Sequence, residues 1–511
     1  MNPPVPEAIG VIGAGIMGSG IAQLAAQAGA RTLLYDPIAE GLEQGTARLV
    51  SNLNRLVERG KLPAEDAQAA LSRLEVAGSL ADLALCGIVI EAAPERLDLK
   101  TALFGELAGI VGPDCVLATN TSSLSVTEIA AGVGGDAAKR VVGLHFFNPP
   151  PVMKLVEVVP GLQTSKHALA IARAVGSAMG RTPIDAADVA GFLVNRVNRP
   201  FGLTALRLLQ ERVATVEQID RIARMEGGFR MGPFELQDLV GLETNHAVAE
   251  AFRRQSYGEP RYQPSPIQAR MVAAGRLGRK TGEGWYSYAA GTRVGEYRPP
   301  DPEPPVTGGG DGRVVAIRGE LPVLRELGEA ARAAGFTVTD GGEAWLTIVG
   351  DASRGVTGPR AFLLHQASLH ARDVEAAGFH VLAPLGSLVE VTSTPRSDPQ
   401  SIVRLAEFVT ALGCIPEAVA DAPGLVLGRI VTALINEAAF VIGEGNGSVE
   451  DVDSGMTLGL NHPRGPVAWS RALGLSHVIG LIDALHRELG EERYRVAPLL
   501  RRLLALGATW Q

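Results

Sequence analysis

The sequence predicts a doubly wound α/β domain, then an all-helical domain, then a partial second copy of this pair. Strand-like and helical segments alternate over residues 1–187, whereas residues 188–289 carry helical periodicity alone. Residue types from the first half recur at a constant separation in the second half. Alternation is typical of a parallel sheet with helices on both faces, and a constant separation indicates duplication.

The composition is typical of a globular protein with several domains. The chain has 511 residues, of which 46% are hydrophobic and 20% are charged, and its formal net charge is -8. This length favours about two to four domains. The acidic balance argues against a nucleic-acid partner, because binding phosphates needs a basic face.

The cysteines and the N-terminus bear on the cellular compartment. Cys86, Cys115 and Cys414 are widely spaced and form no C-x-x-C pair, so we expect a reducing compartment and no metal site. The N-terminus lacks a positive region followed by an apolar segment, and no later run reaches membrane-spanning length. We therefore expect a cytoplasmic protein without a membrane partner.

A glycine-rich turn near the N-terminus predicts a dinucleotide site. The strand Ala8–Ile12 runs into Gly13-Ala14-Gly15-Ile16-Met17-Gly18, and a helical segment follows. In such a turn the first glycine permits the bend, the second lets backbone approach a pyrophosphate, and the third lets helix and strand pack closely. Asp36 follows the second strand, Arg31–Tyr35, where an acid binds the ribose hydroxyls and repels a 2′-phosphate. The pattern favours NAD over NADP in a Rossmann-like domain.

A helical pattern covers 38–72 and carries the basic residues Arg55, Arg59 and Lys61. Such a cluster is either a solvated helix face or, in an acidic protein, a grip for a phosphorylated ligand. Further strands are predicted at Ile88–Glu91 and Val116–Thr119, in keeping with the parallel sheet.

A serine-rich segment follows the strand Val116–Thr119 and includes Ser122. At the carboxyl edge of an open α/β sheet this hydroxyl can donate a hydrogen bond to a ligand. The residues alone favour a simpler interpretation, in which the segment caps the next helix.

The stretch 140–159 is the candidate centre of the chemistry. An apolar run leads to His145, three prolines follow, and a strand-like pattern resumes around Glu157. If the two runs are neighbouring strands, the carboxylate can orient a neutral imidazole that accepts a proton. A core histidine with a surface glutamate is the ordinary alternative.

The helical domain predicted for 188–289 contains Thr215 and Gln218 at the spacing of a capping box. A linker rich in proline and glycine is predicted for 290–312, extended in its proline part and flexible at its glycines. Beyond it we expect a degenerate Rossmann-like segment over 313–421 and a second helical domain over 422–511.

The second half repeats the first with one separation. Pairs 233 positions apart are Gly191 and Gly424, Glu217 and Glu450, and Leu155 and Leu388. The copy lacks the glycine turn, and the counterpart of Asn195 is Gly428. We therefore expect His380 and Glu390 to be the relic of a site and not a second active site.

Seven motifs stand in order along the first half of the chain. They are GAGIMGSGIA at Gly13, APERLDLK at Ala93, TNTSSLS at Thr119, GLHFFNPPPVMKLVEV at Gly143, GFLVNR at Gly191, GPFELQDLVGLE at Gly232 and GRKTGEGWY at Gly278. Together they resemble the L-3-hydroxyacyl-CoA dehydrogenase family of fatty acid metabolism and β-oxidation, over residues 7–289. The length and the second helical copy resemble the long form associated with phenylacetate degradation.

The resemblance implies an activity. It is the reversible, NAD-dependent oxidation of a (3S)-3-hydroxyacyl-CoA to a 3-oxoacyl-CoA, with 3-hydroxyadipyl-CoA or 3-hydroxybutyryl-CoA as substrate. In single-copy members the helical domains pair across a dimer, so we expect either a homodimer or pairing of the two helical domains within one chain.

The resemblance also implies roles for single residues. His145 is implied as the catalytic base with Glu157 as its partner, and Ser122 and Asn195 as the groups that hold the reacting oxygens. The residues implied for the NAD site, besides the glycine turn and Asp36, are Glu95, Lys100, Ser122, Asn148 and Lys280. The match is loose for coenzyme A, where the nearest residues are Asn52, Arg59 and Lys61.

Two alternatives stay open at this point. The chain can be a dehydrogenase of the same fold that oxidises a free hydroxy acid or sugar acid, which a failure to bind coenzyme A would indicate. It can also be a nucleotide-binding sensor or structural protein without catalysis. The presence of Ser122, His145, Glu157 and Asn195 argues against the second alternative, because a degenerate site is free to lose them.

Overall fold

The computed structural model describes residues 4–288, 297–350 and 355–510. The chain forms two compact units. The first unit comprises Met1–Arg196 and Asn446–Leu460, and the second comprises Val197–Gly445 and Asn461–Gln511. Every helix within the described residues is too short or too polar to cross a membrane.

The strands are named in chain order. They are β1 (Ala8–Ile12), β2 (Arg31–Tyr35), β3 (Leu74–Val76), β4 (Ile88–Glu91), β5 (Val116–Thr119), β6 (Val141–Phe146), β7 (Leu155–Pro160), β8 (Thr182–Asp185), β9 (Val314–Arg318), β10 (Thr337–Thr339), β11 (Leu346–Val349), β12 (Arg360–Leu363), β13 (Ala377–His380), β14 (Leu388–Ser393) and β15 (Ile415–Ala418).

The helices are named in the same way. They are α1 (Ile16–Gln27), α2 (Ala39–Glu58), α3 (Ala64–Ser72), α4 (Leu97–Ile110), α5 (Val126–Val133), α6 (Lys166–Ala178), α7 (Val194–Gln210), α8 (Val216–Met225), α9 (Pro233–Val240), α10 (Leu242–Gln255), α11 (Pro266–Ala273), α12 (Pro322–Ala333), α13 (Leu369–Arg372), α14 (Pro399–Ala411), α15 (Leu427–Gly443), α16 (Val449–Leu460), α17 (Pro466–Leu473), α18 (Leu475–Leu489) and α19 (Pro498–Leu506).

The first unit is built on one eight-stranded sheet with the order β3-β2-β1-β4-β5-β6-β7-β8. Its strands pair in parallel except for β6 and β7, which are antiparallel. Apolar side chains of α1, α2 and α6 pack with those of the strands into one core. This is the predicted doubly wound sheet, and strands β1, β2, β4 and β5 have the predicted bounds.

The long helical pattern over 38–72 is two helices in the structure, α2 and α3. The first ends at Glu58, Gly60 has a φ of +65°, and Pro63 immediately precedes α3. A left-handed glycine and a proline stop a helix, because one departs from helical dihedrals and the other lacks an N–H donor. The short strand β3, which the sequence did not predict, follows and pairs with β2 at the edge of the sheet.

A helix from the second half of the sequence completes the first unit. Helix α16 packs against β7 and β8, and a side chain at Gly455 would come within 2.8 Å of Val194. Its counterpart 233 positions earlier, α8, packs against β14 in the second unit. The predicted boundary at 421/422 therefore does not coincide with a boundary between compact units.

The second unit contains a seven-stranded sheet with the order β10-β9-β11-β12-β13-β14-β15, in which only β13 and β14 pair antiparallel. This order repeats the first sheet from β2 to β8. The degenerate segment has thus kept its strand order while losing the glycine turn, and the predicted fold class is confirmed.

The predicted linker falls partly outside the described residues, at 290–296. Its described part is held by the second unit, because the amides of Gly308, Gly310 and Gly312 donate to carbonyls of Ala411, Ala334 and Gly335 at 2.8–2.9 Å. The prediction that the linker is flexible at these glycines is therefore wrong. Backbone groups that are bonded to a folded domain cannot serve as a free spacer.

The two helical segments pair with each other within the second unit. Arg429 is fully buried, and its guanidinium donates to Glu211 at 2.5 and 2.9 Å. Glu437 accepts from Arg261 at 2.7 Å and from the hydroxyl of Tyr262 at 2.6 Å. Buried ion pairs of this kind restrict how the two helical segments can shift against each other, because a shift would leave a buried charge without its counter-ion.

A buried histidine gives this unit a pH dependence. His462 is 8% exposed and packs against the rings of Phe201 and Phe229, and burial lowers its pKa to about 3. Between about pH 6.5 and pH 3 the unfolded chain binds a proton at this imidazole and the folded chain does not. The free energy of unfolding therefore falls as the pH falls through that window, by up to about 1.4 kcal/mol per pH unit for this group.

We expect His462→Phe to weaken this acid sensitivity, because phenylalanine has no protonated form. The measurement is the urea midpoint of the second unit at pH 7.5 and pH 5. His486→Phe, at an exposed position of α18, is the control and keeps the wild-type difference. An equal loss of stability at pH 5 in wild type and His462→Phe would contradict the assignment.

Candidate active site

The reversal of strand direction at β6 and β7 brings the two central residues together. His145 lies directly opposite Glu157 in the antiparallel register, and Nδ1 of the imidazole is 2.6 Å from Oε2 of the carboxylate. Glu157 is fully buried and His145 is 6% exposed. The prediction that these runs are neighbouring strands is confirmed.

Glu157 is also fixed from its other side. Oε1 accepts hydrogen bonds from the amides of Leu193 and Val194 at 3.1 and 2.9 Å, where α7 begins. A helix N-terminus favours a negative charge. If the N–H group at Nδ1 donates a hydrogen bond to the carboxylate, Nε2 carries no proton. Nε2 is then the nitrogen that can accept a proton.

A cleft opens beside this pair at the carboxyl edge of the sheet. It is lined by Met17, Ala92, Ala93, Glu95, Asn120, Ser122, His145, Phe146, Phe147, Asn148 and Asn195. The ring of His145 lies against Phe147 and Phe192, at centroid distances of 4.7 and 5.8 Å. Oδ1 of Asn120 accepts from the amide of Phe146 at 2.8 Å and so fixes the end of β6. The structure therefore brings Ser122, His145, Asn148 and Asn195 to one cleft.

Ser122 does not cap the next helix. Helix α5 has Ser125 as its N-cap, whose hydroxyl accepts from the amide of Glu128 and donates to Asp188. Ser122 lies exposed at the cleft. The capping interpretation is thus wrong for Ser122, because the N-cap of α5 is Ser125, three residues further along the same segment.

Glu95 is held as an anion at the rim of the cleft. Its Oε1 accepts from the hydroxyls of Thr121 and Ser123 at 2.6 and 2.9 Å and from the amide of Ser122 at 3.0 Å. Burial opposes ionisation, yet these hydrogen bonds and the charge of Lys100 hold the pKa of Glu95 below its ordinary value. Glu95 in turn fixes the loop that carries Ser122.

The glycine turn has the geometry that a pyrophosphate needs. Gly13 has a φ of +93°, and a side chain on Gly18 would come within 1.7 Å of the Gly13 carbonyl oxygen. A side chain on Gly15, the N-cap of α1, would meet open space instead. The turn is closed where helix and strand pack and open where phosphates approach, as a dinucleotide requires.

Asp36 stands next to this turn at the end of β2. Its carboxylate accepts from the amides of Ala14 and Ile38 at 2.8 and 2.9 Å. The chain residues present therefore fit an NAD molecule, with phosphates at Gly13–Gly18 and the ribose at Asp36.

Two lysines expected at the NAD site occupy other surroundings. Lys100 is 1% exposed, and its ammonium donates to Glu91 at 2.6 Å and to the carbonyl of Ala93 at 3.3 Å. It supports the wall of the cleft from behind and is not among the lining residues. Lys280 belongs to the second unit, where it is exposed and pairs with Glu243.

Sequence reasoning missed Glu91, the partner of Lys100. This carboxylate is fully buried at the end of β4 and also accepts from the hydroxyl of Thr119 and the amide of Ala93, at 2.7 and 2.6 Å. The signal in the sequence is an acid at the end of an otherwise apolar strand. Such a residue must have a counter-charge in the fold.

The residues expected for coenzyme A, Asn52, Arg59 and Lys61, do not line the groove that lies along α2. A groove along α2 is lined by Ala39, Leu42, Glu43, Thr46, Ala47, Val50, Ser51, Asn54, Arg55, Glu58 and Val76. Asn52 lies on another side of the helix, and Arg59 and Lys61 lie exposed beyond its end. Helical spacing would have selected Ser51, Arg55 and Glu58 as one face.

Fold and site together define an NAD-dependent dehydrogenase. The evidence is a Rossmann-like sheet with its glycine turn and acid, next to a buried imidazole that a carboxylate orients.

Known proteins with the same features are found by comparison. The family model for "3-hydroxyacyl-CoA dehydrogenase, NAD binding domain" matches residues 8–189, and that for "3-hydroxyacyl-CoA dehydrogenase, C-terminal domain" matches residues 191–288 and 424–509. The chain belongs to the 3-hydroxyacyl-CoA dehydrogenase family, and it is an NAD-dependent oxidoreductase of 3-hydroxyacyl-CoA. The resemblance read from the motifs is confirmed, and neither alternative is favoured.

Individual relatives match the whole chain or its first half. The chain is 36% identical over 508 residues to a 3-hydroxyadipyl-CoA dehydrogenase of Escherichia coli (strain K12), with 99% of both chains covered. It is 41% identical over 279 residues to a probable 3-hydroxybutyryl-CoA dehydrogenase of Deinococcus radiodurans, which covers 55% of this chain and 99% of that one. A crystal structure of 3-hydroxybutyryl-CoA dehydrogenase from Escherichia coli K12 superposes with a TM-score of 0.84, at 34% identity, over 98% of this chain and 99% of that one.

The buried pair of Lys100 and Glu91 gives a test of the cleft wall. We expect Lys100→Met to lower the free energy of unfolding by about 3–5 kcal/mol, because it leaves the carboxylate of Glu91 buried without a cation. Adding Glu91→Gln restores most of the loss. The measurement is urea unfolding of the two variants, with Lys139→Met as a control at an exposed ion pair. Equal stability of Lys100→Met and wild type would show that the pair does not form.

Proposed function

We propose that His145 is the general base for oxidation of the 3-hydroxyl group and that Glu157 holds it in the reactive orientation. The observation that supports this proposal is the 2.6 Å contact between Nδ1 of His145 and Oε2 of Glu157. The other carboxylate oxygen accepts hydrogen bonds from two backbone amides. A carboxylate fixed in this way keeps Nδ1 protonated and stabilises the imidazolium that forms when Nε2 accepts the hydroxyl proton.

The remaining cleft residues position the substrate in this proposal. Ser122 and Asn195 are uncharged, so they hold the 3-oxygen and the thioester carbonyl without competing for the proton. The glycine turn, Asp36 and Glu95 would hold NAD, which supplies the acceptor for the hydride. Phe147 and Phe192 enclose the imidazole and keep water away from it.

The groove on α2 is proposed as the place for the coenzyme A moiety. It combines apolar side chains, Leu42 and Val50, with the hydroxyl of Ser51 and the guanidinium of Arg55, which donates to that hydroxyl at 3.1 Å. An adenine ring can lie on the apolar part while the cation approaches a phosphate. This replaces the set Asn52, Arg59 and Lys61.

We expect His145→Gln to lower the turnover of acetoacetyl-CoA-dependent NADH oxidation by roughly 10²- to 10⁴-fold, because the amide can neither accept the hydroxyl proton in oxidation nor donate it to the 3-oxygen in this reductive assay. The affinity for NADH, measured by fluorescence titration, stays near that of wild type. His167→Gln, exposed on α6, is the control and retains full turnover. Full turnover in His145→Gln would remove this residue from the role of base.

For the acyl group we propose 3-hydroxyadipyl-CoA. The relative that carries this name is matched over 99% of its length, including the duplicated half. A second candidate is 3-hydroxybutyryl-CoA, because no lysine or arginine lines the described cleft beside His145, where it could pair with the terminal carboxylate of a hydroxyadipyl group.

The two substrates are distinguished by their kcat/KM values with NAD. We expect the value for 3-hydroxyadipyl-CoA to exceed that for 3-hydroxybutyryl-CoA by at least about tenfold, which corresponds to about 1.4 kcal/mol in transition-state binding. A higher value for the butyryl substrate would assign the enzyme to short, uncharged acyl chains and leave the role of His145 untouched.

A further inference from the structure

The second sheet contains a counterpart of the His145–Glu157 pair with altered surroundings. His380 on β13 lies opposite Glu390 on β14 in the antiparallel register. The carboxylate of Glu390 accepts from the amides of Val426 and Leu427 at 2.6 and 2.8 Å, at the start of α15. The backbone frame of the first site is thus repeated, down to the two amides that hold the glutamate.

The imidazole of His380 is nevertheless placed differently. It is fully buried, and a side chain at Gly428 would come within 2.3 Å of the ring. Gly428 stands where the first copy has Asn195, so the missing side chain makes room for the ring against α15. The Nδ1 atom of His380 is buried without a hydrogen-bond partner among the described residues, in contrast to Nδ1 of His145.

A second carboxylate enters this site from the first half of the sequence. Glu226 follows the last residue of α8, and the preceding carbonyl of Met225 accepts from the amide and the hydroxyl of Ser387 at 3.0 Å each. Glu226 is 4% exposed, and neither of its buried carboxylate oxygens accepts a hydrogen bond from an N–H group or a hydroxyl group of the described residues. The counterpart of Glu226 in α16 is Gly459, so the first sheet has no such carboxylate.

The three side chains converge on one point. Ligand-type atoms of Glu226, His380 and Glu390 all lie within 4.8 Å of one another. The carboxyl groups of Glu226 and Glu390 are within hydrogen-bonding reach of each other, so in the absence of a cation a shared proton would satisfy the pair. Two buried carboxylates and an imidazole without a partner on Nδ1 need a cation or protons to be stable.

We propose that Glu226, His380 and Glu390 bind one divalent transition-metal cation, for which zinc is the best match. Two carboxylate oxygens and one imidazole nitrogen are ligands that zinc accepts, with bonds of about 2.0–2.2 Å. The two negative charges balance the ion, so that the buried site becomes neutral. Each of the orphaned groups, the carboxylate of Glu226 and Nδ1 of His380, gains a partner.

A neighbouring histidine orients the ligand. Nε2 of His380 lies 3.2 Å from Nε2 of His477, which is also fully buried. If Nδ1 of His380 binds the metal, its Nε2 carries the proton and donates it to His477. Metal-bound histidines usually donate their second N–H in this way, and the contact sets the tautomer.

The proposed ion has a structural task. It ties the end of α8 to β13 and β14, which are more than 150 positions apart from it in the sequence. The site is closed by Gly428 and α15, so it does not resemble the open cleft beside His145. The sequence alone did not indicate this site, because Glu226 lies far along the chain from His380 and Glu390 and the three form no short motif.

The test uses the full chain, purified without chelator and analysed by inductively coupled plasma mass spectrometry. We expect about one equivalent of a single transition metal per chain. After removal with dipicolinate, titration with zinc chloride restores one site per chain and raises the thermal unfolding midpoint. Wild-type chain that holds no metal, takes up no zinc and shows no shift of the midpoint would overturn the proposal.

Two variants locate the ion. Glu226→Gln keeps the shape of the side chain and removes its charge, and it loses the bound equivalent, whereas Glu217→Gln on the exposed face of the same helix retains it. His145→Gln also retains the metal, which excludes the first His–Glu pair as its site. Retention of a full equivalent by a folded Glu226→Gln would overturn the proposal, and if that variant does not fold, the wild-type stoichiometry decides.

Discussion

The hydrogen bond between His145 and Glu157 depends on one reversal of direction in an otherwise parallel sheet. Because β7 returns antiparallel to β6, a residue near the end of one strand lies directly beside a residue near the start of the next. Glu157 is fully buried there, so its carboxylate requires partners on both oxygens. The imidazole supplies one partner and the first amides of α7 supply the other. Strand reversal, helix start and imidazole orientation are therefore parts of one arrangement.

The second sheet repeats this frame with different side chains around it. It has the same strand order, the same antiparallel pair and the same two amides on the glutamate. The difference lies in side chains that approach from other elements. Gly428 stands where the first copy has Asn195, and the missing side chain lets the ring of His380 sit against α15.

The exchange of α8 and α16 decides what faces each histidine–glutamate pair. Helix α16 brings Gly459 close to Leu155 and Phe147 in the first unit. Glu226 directly follows the end of helix α8 and lies beside His380 and Glu390 in the second unit. The two equivalent positions therefore differ, since Gly459 has no side chain and Glu226 has a charged one. A conserved separation along the chain does not require that each helix remain with its own sheet.

Local patterns in the sequence determined the glycine turn, the bounds of four strands, the acid at Asp36 and the capping box at Thr215 and Gln218, which the structure confirms. Each depends on backbone preferences within a few residues, or on the fixed length of a strand–turn–helix unit. The burial of Lys100 and the groove along α2 were decided by tertiary structure. So were the helix exchange and the meeting of Glu226 with His380. In these cases a side chain's neighbours come from distant parts of the chain, and packing and desolvation, which have no local signature, select among them.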